Sequence, residues 1–407
     1  MMLQIQRNTL LLVIATIAVL LNGCKEDYSS TRYLEKVIVN LESIESATYK
    51  ETVENWFPGD TAPLGIQYRL AKEYDYPADT TIGSKFIYLD YNNPSLPVFC
   101  YDGQMRALIY LDEKRMVLDS FKLVKRPVRP VTPPFFNYTE SVIRYALETD
   151  DSISLQIDDR EDEVYLKLLV YEEQQVEFFG KPHHVPINPY SFGDNTSQYE
   201  VWISKSNNLP YKVRRAMSHD ISVVKCEDFV FNSLNIAEFN ASDYFPEDFK
   251  IQNYSIGGST RSSKKLIGIN APDWTLQTAD KTLFSLDDLK SKVVMIQFTS
   301  VSCGPCKVSI PFLKELSTTY SQEDFDFVAI ECATKNTNAL KSYMERNDFE
   351  YKFLLSNKEV RKNYAIRSFP VFYFLNEDRI IEEVIYGYGE GSTDEKITSL
   401  IDEMIDI

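Results

Sequence analysis

Cys303-Gly304-Pro305-Cys306 stands between the apolar run Val293 to Phe298 and the helical pattern Lys307 to Tyr320, so two thiols fall where a strand feeds a helix. A helix start presents unpaired N–H groups and about half a positive charge, which favours thiolate over thiol at the first cysteine. The two-residue spacer lets the second thiol attack a mixed disulfide formed by the first. The pattern therefore predicts a redox pair, with Cys303 as nucleophile and Cys306 as resolving thiol. A C-x-x-C can also be half of a zinc site, but a structural tetrahedral site takes four ligands and no second pair follows. The cysteines at 24, 100, 226 and 332 are scattered, and His183, His184 and His219 lie far upstream without metal-ligand spacing.

A sheet must hold these thiols. After residue 267 the patterns alternate: strands over 293–298, 325–330, 369–375 and 380–386, and helices over 305–320, 337–346, 358–364 and 394–405. Parallel strands with crossover helices, closed by an antiparallel hairpin, predict a three-layer α/β/α sandwich.

By these residues, 267–407 resembles the thioredoxin superfamily, specifically the exported TlpA/ResA-like thiol:disulfide oxidoreductases. Ala271-Pro272-Asp273-Trp274-Thr275-Leu276 matches the family's leading strand and Leu286-Asp287-Asp288-Leu289 its turn before the central strand. Pro311 matches a helix-kinking proline, and Phe369-Pro370 falls where the family keeps a cis-proline facing the thiols. The resemblance implies a redox-active Cys303–Cys306 disulfide and substrate binding by Phe369, Pro370, Gly304 and Pro305. It also implies protein disulfides as substrates, an extracytoplasmic electron donor, and no metal or organic cofactor. Ser302 replaces the family's usual aromatic, Gln297 its buried acid, and Ser309 the acid that ResA-like members often carry. A neutral amide cannot take the proton of Cys306, so resolution must rely on water, another group, or that thiol's own acidity. Glu331 is a weak substitute base, a strand-end or solvent-facing carboxylate being expected, and Cys332 reads as a small buried residue.

The chain begins with a lone Arg7 before an apolar stretch from Thr9 to Leu21, too short to span a bilayer comfortably but suited to a secretory signal. Leu21-Asn22-Gly23-Cys24 resembles the lipobox of bacterial lipoproteins, which implies cleavage before Cys24 and lipidation of its thiol. Lys25-Glu26-Asp27 resembles an acidic export signal to the outer leaflet and equally suits a polar tether. The expected location is the cell envelope, lipid-anchored at the outer membrane, on its periplasmic face or the cell surface. Such a compartment lacks a reducing glutathione pool, so the dithiol needs an outside electron source.

These readings divide the chain into a signal peptide (1–23), a lipidated tether (24–30), a β-rich domain (31–255), a Gly/Ser linker (256–266) and a thioredoxin-like domain (267–407), an α+β two-domain architecture. In the β-rich part, a helix over 31–46 precedes Tyr- and Phe-rich strands, and a second helix over 139–147, capped by Thr139, precedes further strands. Helix, strands, helix, strands, with Tyr199 to Ser204 followed by Asn208-Leu209-Pro210-Tyr211, resembles the half-barrel of LolA-like lipoprotein carriers, an antiparallel sheet with two helices. That resemblance implies a concave face able to hold an apolar ligand, and a different β-rich sandwich is the alternative. Cys100 and Cys226 share this part and could pair if within reach.

The formal charge of -17 repels phosphate backbones and excludes nucleic acid as a natural partner. The short basic run Lys122, Lys125, Arg126 and Arg129 reads as a solvated strand end or loop. The leading function is a membrane-anchored thiol:disulfide oxidoreductase, reducing or isomerising protein disulfides. The alternative is a lipid- or peptide-binding lipoprotein with an accessory redox domain. A thiol peroxidase would need a proline seven positions before its cysteine, where Ile296 stands.

Overall fold

The computed structural model describes residues 30–406, apart from 57, 59–61, 124–132, 172–173, 186–196, 219, 236–238, 240, 256–262, 335–336 and 350. The segment expected to be a signal peptide, Cys24, most of the expected linker, His219 and most of the basic run lie outside the described residues.

Helix α1 (30–42) turns Leu34, Val37, Ile38 and Leu41 to one side, and all four are buried. Six strands follow: β1 (Ser46–Trp56), β2 (Gly65–Asp75), β3 (Ser84–Asp90), β4 (Pro97–Tyr101), β5 (Arg106–Tyr110) and β6 (Arg115–Asp119). After helix α2 (Phe135–Glu148) come β7 (Ile153–Asp159), β8 (Glu163–Val170), β9 (Gln175–Phe178), β10 (Pro182–Val185), β11 (Ser197–Ser204), β12 (Leu209–Met217), β13 (Ile221–Phe231) and β14 (Lys250–Asn253). Twelve of these form one sheet in the order β14-β6-β5-β4-β3-β2-β1-β13-β12-β11-β8-β7, and β9 and β10 pair separately.

Period-two patterning builds its core. Val164, Leu166, Leu168 and Val170 of β8 and Tyr199, Val201 and Ile203 of β11 are buried and join the apolar sides of α1 and α2 in one cluster. A second cluster gathers Ile87, Leu89, Cys100, Ile109 and Met116 under Phe239. Neighbours in the sheet are antiparallel except β14, which runs parallel to β6. The expectation of an antiparallel sheet fails at that edge because the long connection from β13 can return in either sense.

The expected Thr139 cap is also wrong. Helix α2 begins four residues earlier, and Thr139 Oγ1 bonds back to the carbonyls of Phe135 and Phe136 at 2.9 and 3.2 Å. The free N–H groups of Phe136 and Asn137 instead donate to Glu73 of β2, at 3.2 and 2.8 Å, and Tyr49 donates to the same carboxylate at 2.9 Å. A carboxylate at a helix start satisfies orphan donors from any element that can reach it.

The C-terminal part carries β15 (Thr275–Thr278), β16 (Leu283–Ser285), β17 (Val293–Thr299), α3 (Gly304–Val308), α4 (Ile310–Thr319), β18 (Phe325–Glu331) and α5 (Thr337–Asn347). It continues with β19 (Lys352–Leu355), α6 (Lys358–Asn363), β20 (Val371–Leu375), β21 (Ile381–Tyr386) and α7 (Ser392–Ile405). The sheet order is β16-β15-β19-β18-β17-β20-β21, with β17, β18 and β19 parallel and β20 and β21 antiparallel to them. Every residue of β17 is buried. Val294, Ile296 and Phe298 face one core and Val293 and Met295 the other, as a strand covered on both sides requires.

Candidate active site

The dithiol sits where β17 ends. Cys303 is the N-cap of α3: its backbone is extended (φ -90°, ψ 119°), its N–H donates to the Ser300 carbonyl at 2.9 Å, and its Sγ accepts the Cys306 N–H at 3.2 Å. Pro305 lies in the first turn, where its missing N–H costs nothing. Cys303 is half-buried and Cys306 only 2 % exposed, and the two form a disulfide with Cα atoms 5.2 Å apart.

Pro311 marks a break between α3 and α4, with Ser309 as the shared residue. Ser309 Oγ donates to the Cys306 carbonyl at 2.8 Å and receives the Gln297 side-chain amide at 3.3 Å. Both side chains are buried, so the pair bonded to the Cys306 carbonyl is neutral. Outside, the hydroxyls of Ser300 and Ser302 meet at 2.8 Å, and Ser302 is exposed.

The strand register places the remaining predicted residues. Phe298 opposes Val371, so Phe369 and Pro370, just ahead of β20, stand at the same end of the sheet as the thiol loop. The Phe369–Pro370 peptide is cis. On the other side, Thr299 opposes Glu331.

Glu331 departs from expectation. It does end a strand, but it is fully buried rather than solvent-facing. Burial raises its pKa, against the pull of hydrogen bonds from the Thr334, Ala333 and Val301 N–H groups. The sequence signal was a carboxylate closing the apolar run Phe327 to Ile330, and its backbone partners were not legible.

The other described cysteines are chemically quiet. Cys100, Cys226 and Cys332 are free and buried, and Cys100 and Cys226 belong to different core clusters and do not pair. Burial pushes the Cys332 thiol up to about 12 and raises Cys100 and Cys226 as well. Among the described residues, no group of three or more His, Cys, Asp or Glu is arranged to hold a metal ion. In the N-terminal part a cavity of about 230 Å³ lies between α1, β2 and α2, and Glu42, Glu73, Asp75 and Glu140 line it.

Residues 267–401 match the Redoxin family model. The chain is 29% identical over 131 residues to the thioredoxin-like protein YneN of Bacillus subtilis, a match covering 31% of this chain and 76% of that protein. It is 25% identical over 130 residues to the thiol-disulfide oxidoreductase ResA of Bacillus thuringiensis, covering 31% of this chain and 75% of ResA. The thioredoxin domain of a thiol-disulfide oxidoreductase from Bacteroides vulgatus superposes with a TM-score of 0.30 at 19% identity, over 33% of this chain and 97% of that one. With the Redoxin match, the likeness to YneN and ResA and the dithiol between strand and helix, the C-terminal part of the chain is a TlpA/ResA-like domain of the thioredoxin superfamily, of the thiol:disulfide oxidoreductase kind.

Proposed function

We propose that the chain is an envelope-located, lipid-anchored thiol:disulfide oxidoreductase that reduces or isomerises protein disulfides through Cys303 and Cys306. The observation that carries this reading is the asymmetry of the pair: a half-buried Cys303 whose Sγ receives the first-turn N–H of a nearly inaccessible Cys306. A thiolate at Cys303 is stabilised by that N–H and by the helix start, and it alone presents to a substrate.

The Cys303 thiolate attacks one sulfur of a substrate disulfide. The substrate S–S bond breaks, its second sulfur leaves as thiolate, and a mixed disulfide with Cys303 forms. Cys306, as thiolate, then attacks the Cys303 sulfur, closing Cys303–Cys306 and releasing the substrate's first sulfur. Two electrons pass from the pair to the substrate, and an extracytoplasmic dithiol donor returns the pair to its reduced form. Because Gln297 and Ser309 are neutral, the Cys306 proton leaves to water or substrate. Phe369, Pro370, Gly304 and Pro305 form the substrate-binding rim in this reading, supported by their place at the sheet end that carries the thiols.

The anchor at Cys24, the signal peptide and a domain division at 256–266 are part of the proposal and rest on the sequence patterns. The N-terminal sheet is read as an unclosed half-barrel whose concave side is filled by α1 and α2, a reading supported by their shared core. The carboxylate-lined cavity suits an acyl chain poorly. We therefore assign this part to spacing and docking, with lipid or peptide binding as the alternative.

Turnover of insulin disulfides tests the proposal. Cys303→Ser is expected to lose at least a thousandfold in rate, on the order of the loss of a covalent nucleophile. Equal activity in that variant would remove the reading.

A further inference from the structure

β18 is apolar toward its end until Glu331, whose side chain is 0 % exposed. Backbone N–H groups use that carboxylate three times. Oε2 accepts Val301 at 2.7 Å, and Oε1 accepts Ala333 at 2.6 Å and Thr334 at 2.8 Å. Val301 lies two residues before Cys303, in the loop whose Ser300 carbonyl holds the Cys303 N–H. Glu331 therefore joins the thiol loop to the loop after β18.

The chain of contacts continues out of the C-terminal sheet. The Thr334 hydroxyl donates to the Leu64 carbonyl at 2.9 Å, and Leu64, at the turn between β1 and β2, packs against the cluster that contains Val301. A second contact joins the two parts: Lys358, at the start of α6, meets Asp112 in the turn between β5 and β6 at 2.6 Å. Two hairpin tips of the N-terminal sheet thus rest on the C-terminal domain, one of them a single residue from the carboxylate's partners. A buried acceptor bonded to two loops holds them at fixed separation, since releasing either leaves a buried donor unpaired.

We propose that Glu331 is a positioning residue for the thiol pair, clamping the loop of Cys303 to the loop of Thr334 and, through Thr334, to the β1–β2 hairpin of the N-terminal part. This rests on the reading of Cys303 as the attacking thiol. Glutamine at 331 keeps the shape but turns an NH2 toward at least one of the three N–H groups. Aspartate keeps both acceptor oxygens on a shorter arm. Loosening the loop weakens the hold of the Cys306 N–H on the Cys303 sulfur, which destabilises the thiolate.

The test is alkylation of reduced full-length protein by iodoacetamide over a pH series, with the Cys303 peptide quantified by mass spectrometry and thermal stability recorded in parallel. In Glu331→Gln the midpoint of Cys303 alkylation should move upward by about half a pH unit or more, with Glu331→Asp between it and the unsubstituted protein. Thr334→Val, which removes the hydroxyl that bonds Leu64 and keeps the backbone N–H that bonds Glu331, should move it upward by less, and it reads the clamp even if the Glu331 variants do not fold. An unchanged midpoint with lowered stability in Glu331→Gln would make the residue merely structural and overturn the proposal. A downward shift would show that its charge, not its tether, reaches Cys303, and would overturn it equally. An unchanged Thr334→Val midpoint would refute the link to the N-terminal part. An ordinary, unlowered midpoint in the unsubstituted protein would instead refute the attacking-thiol reading itself.

Discussion

The two parts of the molecule use the same side chains for opposite ends. In the N-terminal sheet, cysteines sit inside strands: Cys100 in β4 and Cys226 in β13, sealed in separate cores with their thiols raised by burial. In the C-terminal sheet, Cys303 stands just past a strand end, half-buried, with a helix N–H aimed at its sulfur. Buried carboxylates divide likewise. Glu73 caps a structural helix, whereas Glu331 ties down the loop that carries the thiol. Chemistry here follows from burial as well as position: strand interiors silence Cys100 and Cys226, burial just past β18 silences Cys332, and among the described cysteines Cys303 is the one that is half-buried with a first-turn N–H on its sulfur.

The largest effect expected from this contrast is in the cysteines. Replacing Cys100 and Cys226 together by Ser should leave insulin reduction within about twofold, against the thousandfold loss for Cys303→Ser. A comparable loss in the double variant would erase the distinction between the two regions.

Next in size is a pH effect centred on Glu73 in the N-terminal part. Burial pushes Glu73 up to about 7, above its unfolded value. A raised carboxyl binds its proton more tightly in the folded state, so its contribution is fully present below the unfolded pKa and is lost as pH rises through about 7. Urea unfolding should therefore show this part losing up to about 3 kcal/mol between acidic and mildly alkaline pH, from a shift of about 2.5 units at 1.36 kcal/mol each. Asp75, Glu140 and Glu331 are raised too, so the decisive comparison is Glu73→Gln, whose slope against pH should be flatter. An unaltered slope would mean that Glu73 does not titrate in that window.

The smallest effect concerns the start of α2. If Glu73 is the cap, Thr139→Val removes the hydroxyl's bonds back to the Phe135 and Phe136 carbonyls and should cost under about 1 kcal/mol. A loss of about 2 kcal/mol would restore Thr139 to the capping role.

These cases show which levels of structure were legible in the chain. The all-apolar run Val293 to Phe298, the dithiol after it and Pro311 are local patterns, and local patterns survive folding: β17, the N-cap at Cys303 and the break between α3 and α4 stand where those residues put them. Short strands lacked the length to show a period, so β16 and β19 were not anticipated, and β15 was expected only from its resemblance to a family strand. Long-range partners were invisible for a different reason. Glu73 reaches a helix 63 residues away, and Leu64 meets Thr334 across 270 residues, and nothing in the composition near either residue announces its partner. The buried clamp at Glu331 belongs to this second class, although the strand that carries it was plain.

The most direct measurement is on Cys306→Ser, which lacks the resolving thiol and should stall at the mixed disulfide. Incubated with an oxidised protein substrate, alkylated and digested, it should yield a substrate-linked peptide at Cys303 and none at Cys100, Cys226 or Cys332. Adducts at those buried thiols, or no adduct at Cys303 under conditions where the unsubstituted protein turns over, would contradict the assignment of the exchange chemistry to this strand end.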